Sequence, residues 1–277
     1  MSKTVAILVC DDYHGEDENG KFYIDLFKKD EVENWEYFKA VSGHLPDFGM
    51  IKNYLGFILT GSYCSANDEV KWIRELTDFI KKVVQFQTES RSAPKLFGFC
   101  FGHQLICKTL GARVVKNKVG RFIISVADIE IFSSLQSMDY YSNVFHSEKF
   151  MRLVKMHEEE VIDLPSNAIL LGSSEQCQNE IVSFGNKILT MQGHLDILEE
   201  QLRKIYLPIF RKDGKIDETG EAILLDSIAE KPYDKCEFFK MMNGSETVFQ
   251  DSENENLDFN NKNEDKEVEE DDNDNSE

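Results

Sequence analysis

The chain has 277 residues and carries 51 acidic against 31 basic side chains, a formal charge of −20 with histidine neutral. That balance speaks against a nucleic-acid-binding surface, because phosphate is held by clustered Lys and Arg; no run of about 18 apolar residues exists to cross a membrane, and the N-terminus lacks the basic, apolar and small-residue order of a secretory signal. The six cysteines are scattered and form no C-x-x-C, in a chain too long to need a disulfide scaffold, which points to a reducing, cytoplasmic setting.

Residues 4–10 (TVAILVC) are apolar and β-branched and predict a strand buried on both faces of a parallel sheet, followed by a polar, acidic loop. A second such strand at residues 55–60 ends at Gly61-Ser62. Residues 68–84 then place Val70, Ile73, Leu76, Ile80 and Val83 at helical spacing, with Asn67 or Asp68 as the cap. Residues 95–100 read as another strand, running directly into a helix over 101–110 that stops at Gly111. This alternation is the grammar of a doubly wound α/β fold with helices on both faces of a mostly parallel sheet. Further strands are expected at 121–127, 151–156, 168–173, 180–184 and 187–191, some antiparallel at the sheet edge, with a tight hairpin at Gly185-Asn186. A helix over 197–210 follows.

From Gly244 aromatics become rare and Asn, Asp, Glu and Ser dominate. One folded domain over residues 1–243 and an acidic, disordered tail over 244–277 are therefore expected. Besides being solvated, such a tail is suited to docking a basic protein partner.

Gly98-Phe99-Cys100-Phe101-Gly102 is a G-x-C-x-G elbow at the junction of a buried strand and a helix. A residue at so sharp a turn is pushed into strained backbone with its side chain exposed, and its flanks must be glycine because a Cβ there would collide with the neighbouring turn. The helix N-terminus favours a thiolate, so Cys100 is the candidate nucleophile. Its base must come from another strand. His14, His44 and His146 fall in loops or irregular segments, and the direction of His103 is set by its helix. His194 follows a strand end, where doubly wound folds place their sites, and Asp196, two residues on, points the same way in extended backbone and can orient the ring. For an oxyanion, the Phe101 N–H is the natural first donor and the Gly61/Ser62 loop the second. Cys64 on that loop reads as a passive small residue, and Lys118 and Arg121, weighed as a pocket wall for a substrate carboxylate, read rather as a solvated basic turn.

The runs Gly98-Phe-Cys-Phe-Gly-His-Gln104 and Gln192-Gly-His194-Leu-Asp196, with the early Leu-Thr-Gly-Ser loop, resemble the class I glutamine amidotransferase-like superfamily over residues 4–210. The resemblance implies a three-layer, flavodoxin-like α/β fold, a Cys-His-Asp triad, and hydrolysis of a γ-glutamyl amide through a thioester on Cys100. It further implies that Gln104 helps hold the γ-glutamyl group and that no metal or organic cofactor is needed. Leu195-Asp196 stands where the superfamily usually carries Pro-Glu. Within it, the chain is most similar to stand-alone plant-type γ-glutamyl peptidases, on the Gly61-Ser62 loop, Asn67-Asp68 before Trp72, His157-Glu-Glu-Glu-Val161 and Leu171-Gly-Ser-Ser-Glu-Gln-Cys177; this makes His157 a candidate pocket residue. The expected substrate is a small γ-glutamyl compound such as glutathione or a conjugate of it. The alternatives are a glutaminase subunit serving a separate synthase and an inactive scaffold on the same fold.

Overall fold

The computed structural model describes residues 4–12, 19–28, 34–136 and 149–234. The acidic stretch 244–277 and the expected boundary at 243 lie outside these residues, as do His14 and His146.

Strand β1 (Thr4–Val9) forms where expected. The stretch after it, read from the sequence as a loop, instead holds helix α1 (Asn19–Phe27) and, before the next strand, β2 (Asn34–Lys39). Both mix polar and apolar residues too evenly to announce themselves. Helix α1 is held by Tyr23, Leu26 and Phe27 against the sheet, and β2 by parallel pairing along β1 at the sheet edge. Strand β3 (Tyr54–Leu59), helix α2 (Lys71–Glu89), β4 (Lys95–Phe99) and α3 (Phe101–Thr109) keep the expected alternation. The cap of α2 is a correction: Val70 holds that position with no side-chain bond, while Asp68 accepts from the Ser65 N–H at 3.0 Å and Asn67 donates to the Val114 carbonyl at 3.0 Å.

There follow β5 (Arg113–Lys116), β6 (Ile123–Ile131), the short α4 (Ser133–Gln136), β7 (Phe150–His157), β8 (Glu159–Ile162), β9 (Ala168–Ser173), β10 (Ile181–Phe184) and β11 (Ile188–Met191). The last helical region, α5, runs through Glu199–Gln201, a π-helical turn at Leu202–Tyr206, and Leu207–Lys212, ahead of α6 (Glu218–Glu230). Strands β5 and β8 pair antiparallel in a sheet of their own.

The main sheet has nine strands in the order β2-β1-β3-β4-β11-β10-β9-β6-β7. The first five pair parallel throughout, and only β10 and β6 run against the rest. Gly185 at φ 59° turns the hairpin from β10 to β11, a conformation glycine adopts without penalty. On β1 the alternation sorts the layers: Ala6 and Leu8 join the core under α2 and α3, while Val5, Ile7 and Val9 face α1. A further cluster packs α5 and α6 on Val154 and Met156 of β7. Among the described residues no helix is long and apolar enough to cross a membrane.

Phe57 on β3 is wholly buried, edge-on to Phe79 of α2 with ring centroids 5.1 Å apart. Phe57→Ala is expected to lower the unfolding free energy by about 3–5 kcal/mol, read from urea melts.

Candidate active site

Strands β4 and β11 lie side by side and stay in register up to Phe99 opposite Met191. One more bond, from the Cys100 N–H to the Met191 carbonyl at 2.9 Å, extends the ladder. The residues that follow each strand, Cys100 from one and Gln192-Gly193-His194 from the other, therefore leave the carboxyl end of the sheet next to each other.

Cys100 stands at φ 47°, ψ −102°, a region that costs a non-glycine residue about 1–3 kcal/mol. Its neighbours have no room for a Cβ: on Gly98 it would lie 2.6 Å from the Gly102 carbonyl carbon, and on Gly102 it would lie 2.5 Å from the Leu59 carbonyl oxygen. The chain then enters α3, with the Cys100 carbonyl accepting the Gln104 N–H at 3.0 Å. The Phe101 N–H, in the first turn, has no intrahelical acceptor. Cys100 Sγ lies 3.5 Å from the Met156 carbonyl oxygen.

His194 is fixed by its own N–H, which donates to the Val154 carbonyl of β7 at 2.9 Å. Its Nδ1 lies 2.8 Å from Asp196 Oδ1, and since a carboxylate only accepts, Nδ1 carries the proton. Leu195 between them is fully buried. Burial pulls the His194 pKa down, but the charge of the Asp196 carboxylate, which is also hydrogen-bonded to the ring, and then that of the Cys100 sulfur outweigh it and push it up to about 10. At neutral pH this ring is an imidazolium between a sulfur and a carboxylate.

The loop after β3 closes over this pair. Thr60 Oγ1 accepts the Cys10 N–H at 2.9 Å, and a Cβ on Gly61 would come within 3.1 Å of His194 Cε1 and 3.8 Å of the Cys100 Cβ. Ser62 Oγ accepts the Cys64 N–H at 3.2 Å. Gly61, Ser62, Cys100, Gln104, His157, His194 and Asp196 line a single cavity. Phe101 is not among the lining residues, its ring being buried against Trp72 with centroids 5.4 Å apart.

The profile of the family Glutamine amidotransferase class-I matches residues 36–210. The chain belongs to this family. It is 31% identical over 196 residues to gamma-glutamyl peptidase 2 of Arabidopsis thaliana, spanning 70% of this chain and 73% of that protein. It is 30% identical over 176 residues to gamma-glutamyl peptidase 3 of the same plant, spanning 64% and 68%. In fold it is similar to the crystal structure of a glutamine amidotransferase from Thermotoga maritima, with a TM-score of 0.69 at 19% identity, over 90% of this chain and 99% of that one.

Around this amidotransferase site the remaining candidates take their places, joined by Lys116, Lys215 and Asp11, which the sequence did not single out. Gln104 Nε2 donates to the Glu159 carbonyl at 2.9 Å and to Gln192 Oε1 at 3.0 Å, so both amide protons tie α3 to the cavity wall and only the carbonyl oxygen is left for a ligand. His157 gives its Nδ1–H to the same Glu159 carbonyl at 2.9 Å, and Nε2 is buried with no hydrogen-bond partner among the described residues. Burial, then the Lys155 ammonium, holds its pKa well below the usual imidazole value. His103 is buried against Thr190 Oγ1 at 2.8 Å, its pKa driven by burial, then Lys155, down to about 3. Cys64 lines the cavity with its pKa raised by burial. Lys118 and Arg121 are exposed and neither lines this cavity; Lys116 and Lys215 do, gripping Glu158 at 3.1 and 3.2 Å. Asp11 also lines it, accepting from Tyr23 OH at 3.0 Å. Its signal was its place directly beyond the end of β1. Among the described residues no group of three or more His, Cys, Asp and Glu is arranged to hold a metal ion.

Gly102→Ala forces a Cβ onto the β3 backbone and is expected to cost about 1–3 kcal/mol in urea melts. The raised His194 pKa also gives a signed expectation: the imidazolium's contribution to stability is complete below its ordinary 6.5 and is lost as pH rises through about 10. Asp196→Asn removes the leading cause of the rise, so the ring's NMR titration midpoint falls in that variant.

Proposed function

We propose that the chain is a cysteine-dependent hydrolase that cleaves γ-glutamyl amide or isopeptide bonds of small molecules such as glutathione or its conjugates. The observation that carries this reading is the placing of Cys100 at a positive-φ elbow beside His194, whose ring is oriented by Asp196, in one cavity. Membership of the amidotransferase family and about 30% identity to proteins named gamma-glutamyl peptidase support it.

In the first half-reaction the Cys100 sulfur attacks the γ-carbonyl carbon, and the oxygen, becoming negative, is held by the N–H groups of Phe101 and of the Gly61/Ser62 loop. The C–N bond breaks as His194 gives its proton to the departing amine, leaving a γ-glutamyl thioester. A water then attacks this thioester, His194 taking one of its protons, and glutamate leaves as the sulfur is released. Asp196 keeps Nδ1 protonated, so that Nε2 serves both proton transfers. The shorter Asp replaces the superfamily's Glu without loss of contact, because it sits 2.8 Å from the ring. His157, with its Nδ1–H committed, offers a lone pair to a substrate N–H. Gln104 fixes the Glu159 carbonyl and with it the orientation of His157.

Cys100→Ala is expected to lower kcat/KM by at least about 10⁴-fold while leaving the urea midpoint close to that of the unaltered chain. Incubation of the unaltered chain with a panel of γ-glutamyl compounds, glutamine included, should yield a γ-glutamyl adduct on Cys100 by mass spectrometry. Turnover by the Cys100→Ala variant would exclude this chemistry.

A further inference from the structure

Beneath the cavity lies a charge pair that the reaction does not use. Lys155 and Glu180 are both wholly inaccessible to solvent, and Lys155 Nζ donates to Glu180 Oε1, which also accepts from Ser174 Oγ at 2.5 Å. Stripping water from an ammonium and a carboxylate offsets most of their attraction, so such a pair is a weak source of stability compared with apolar side chains of the same size. Its place in the fold gives it another use.

Lys155 sits on β7 between Val154, whose carbonyl holds the His194 N–H, and Met156, whose carbonyl lies beside Cys100 Sγ. Side chains two apart on a strand share a face, so Lys155 lies on the face of His157. Glu180, at the entry to β10, donates its N–H to the Gly172 carbonyl at 3.1 Å and accepts the N–H of Gln192, two residues before His194, at 2.8 Å. The ammonium is therefore held at a fixed point by the backbone that delivers the base. The Glu159 carbonyl takes the Nδ1–H of His157. Burial first and then the positive charge of Lys155, with smaller effects from His194 and His103, work against a second proton on this ring, even though Lys155 is paired with Glu180 and His194 with Asp196.

We infer that Lys155, anchored by Glu180, is a positioning residue that keeps the His157 ring a neutral hydrogen-bond acceptor within the cavity. The use of that acceptor, holding a substrate N–H, rests on the γ-glutamyl reading above.

Ring NMR of the full chain, with His157→Gln to assign the resonance, follows His157 from about pH 8 to about pH 4. In the unaltered chain the ring stays neutral well below the usual imidazole midpoint. In Lys155→Met/Glu180→Leu, where both charges give way to apolar chains, the midpoint rises by about one unit or more, and in Lys155→Arg, which keeps the charge, it stays low. If the pair were purely structural, replacing both members would change only the thermal midpoint and leave the titration where it was. An unmoved midpoint in the double variant overturns the inference, and so does an ordinary midpoint in the unaltered chain, an arm that holds even if the variants fail to fold. Because this readout needs no substrate, an unaltered chain that cleaves no γ-glutamyl amide would sink the proposed function and leave the titration result standing.

Discussion

Everything at the site depends on the pairing of β4 with β11. Their paired residues, such as Leu96 and Ile188, are 92 apart in sequence yet adjacent in the sheet, and their ladder runs one bond past the last pair, to the Cys100 N–H. Cys100 and His194 are thus brought together by backbone hydrogen bonds between buried strands, not by loops. The third strand of the arrangement, β7, secures His194 through the Val154 carbonyl. Such a frame leaves the two side chains little freedom to drift, which is the condition under which proximity lowers a barrier.

The elbow itself is a local cost met by packing. Cys100 occupies backbone that its residue type disfavours, and it persists because Gly98 and Gly102 let β3, β4 and α3 approach more closely than any Cβ would permit. The same crowding recurs at Gly61, whose missing side chain lets the loop after β3 lie against the imidazole. Three glycines therefore set how closely the elbow and the loop over it can pack, each by removing an atom from a different contact.

Much of this was legible in the sequence because its signals are local. Buried parallel strands read as short apolar runs, and the G-x-C-x-G elbow announces its own backbone, so β1, β3, β4 and β11 and the residues at their ends could be placed. His194 and Asp196 were legible from a strand end and a two-residue spacing. What stayed hidden was set by tertiary contact. Helix α1 and strand β2 carry no clear period and form because Tyr23, Phe27 and the β1 edge offer them a surface. Helix α2 begins at Lys71, since Asn67 and Asp68 spend their side chains elsewhere. Gln104 turned out to brace the wall with both amide protons, and Lys116 and Lys215 line the cavity where Lys118 and Arg121 were weighed. No spacing rule reports which of several nearby lysines faces inward.

The cavity has two kinds of wall. Its floor is the ends of paired strands, whose bonds are main-chain and indifferent to side-chain identity, while its rim includes Tyr63, whose hydroxyl reaches Asp213 at 2.8 Å beyond α5, and the Lys116–Glu158–Lys215 bridge, all made by exposed or half-exposed side chains. Over evolutionary time the rim can be rewritten one substitution at a time without disturbing Cys100 or His194. A lineage built on this frame can change what its cavity admits while inheriting the pair beneath it unchanged.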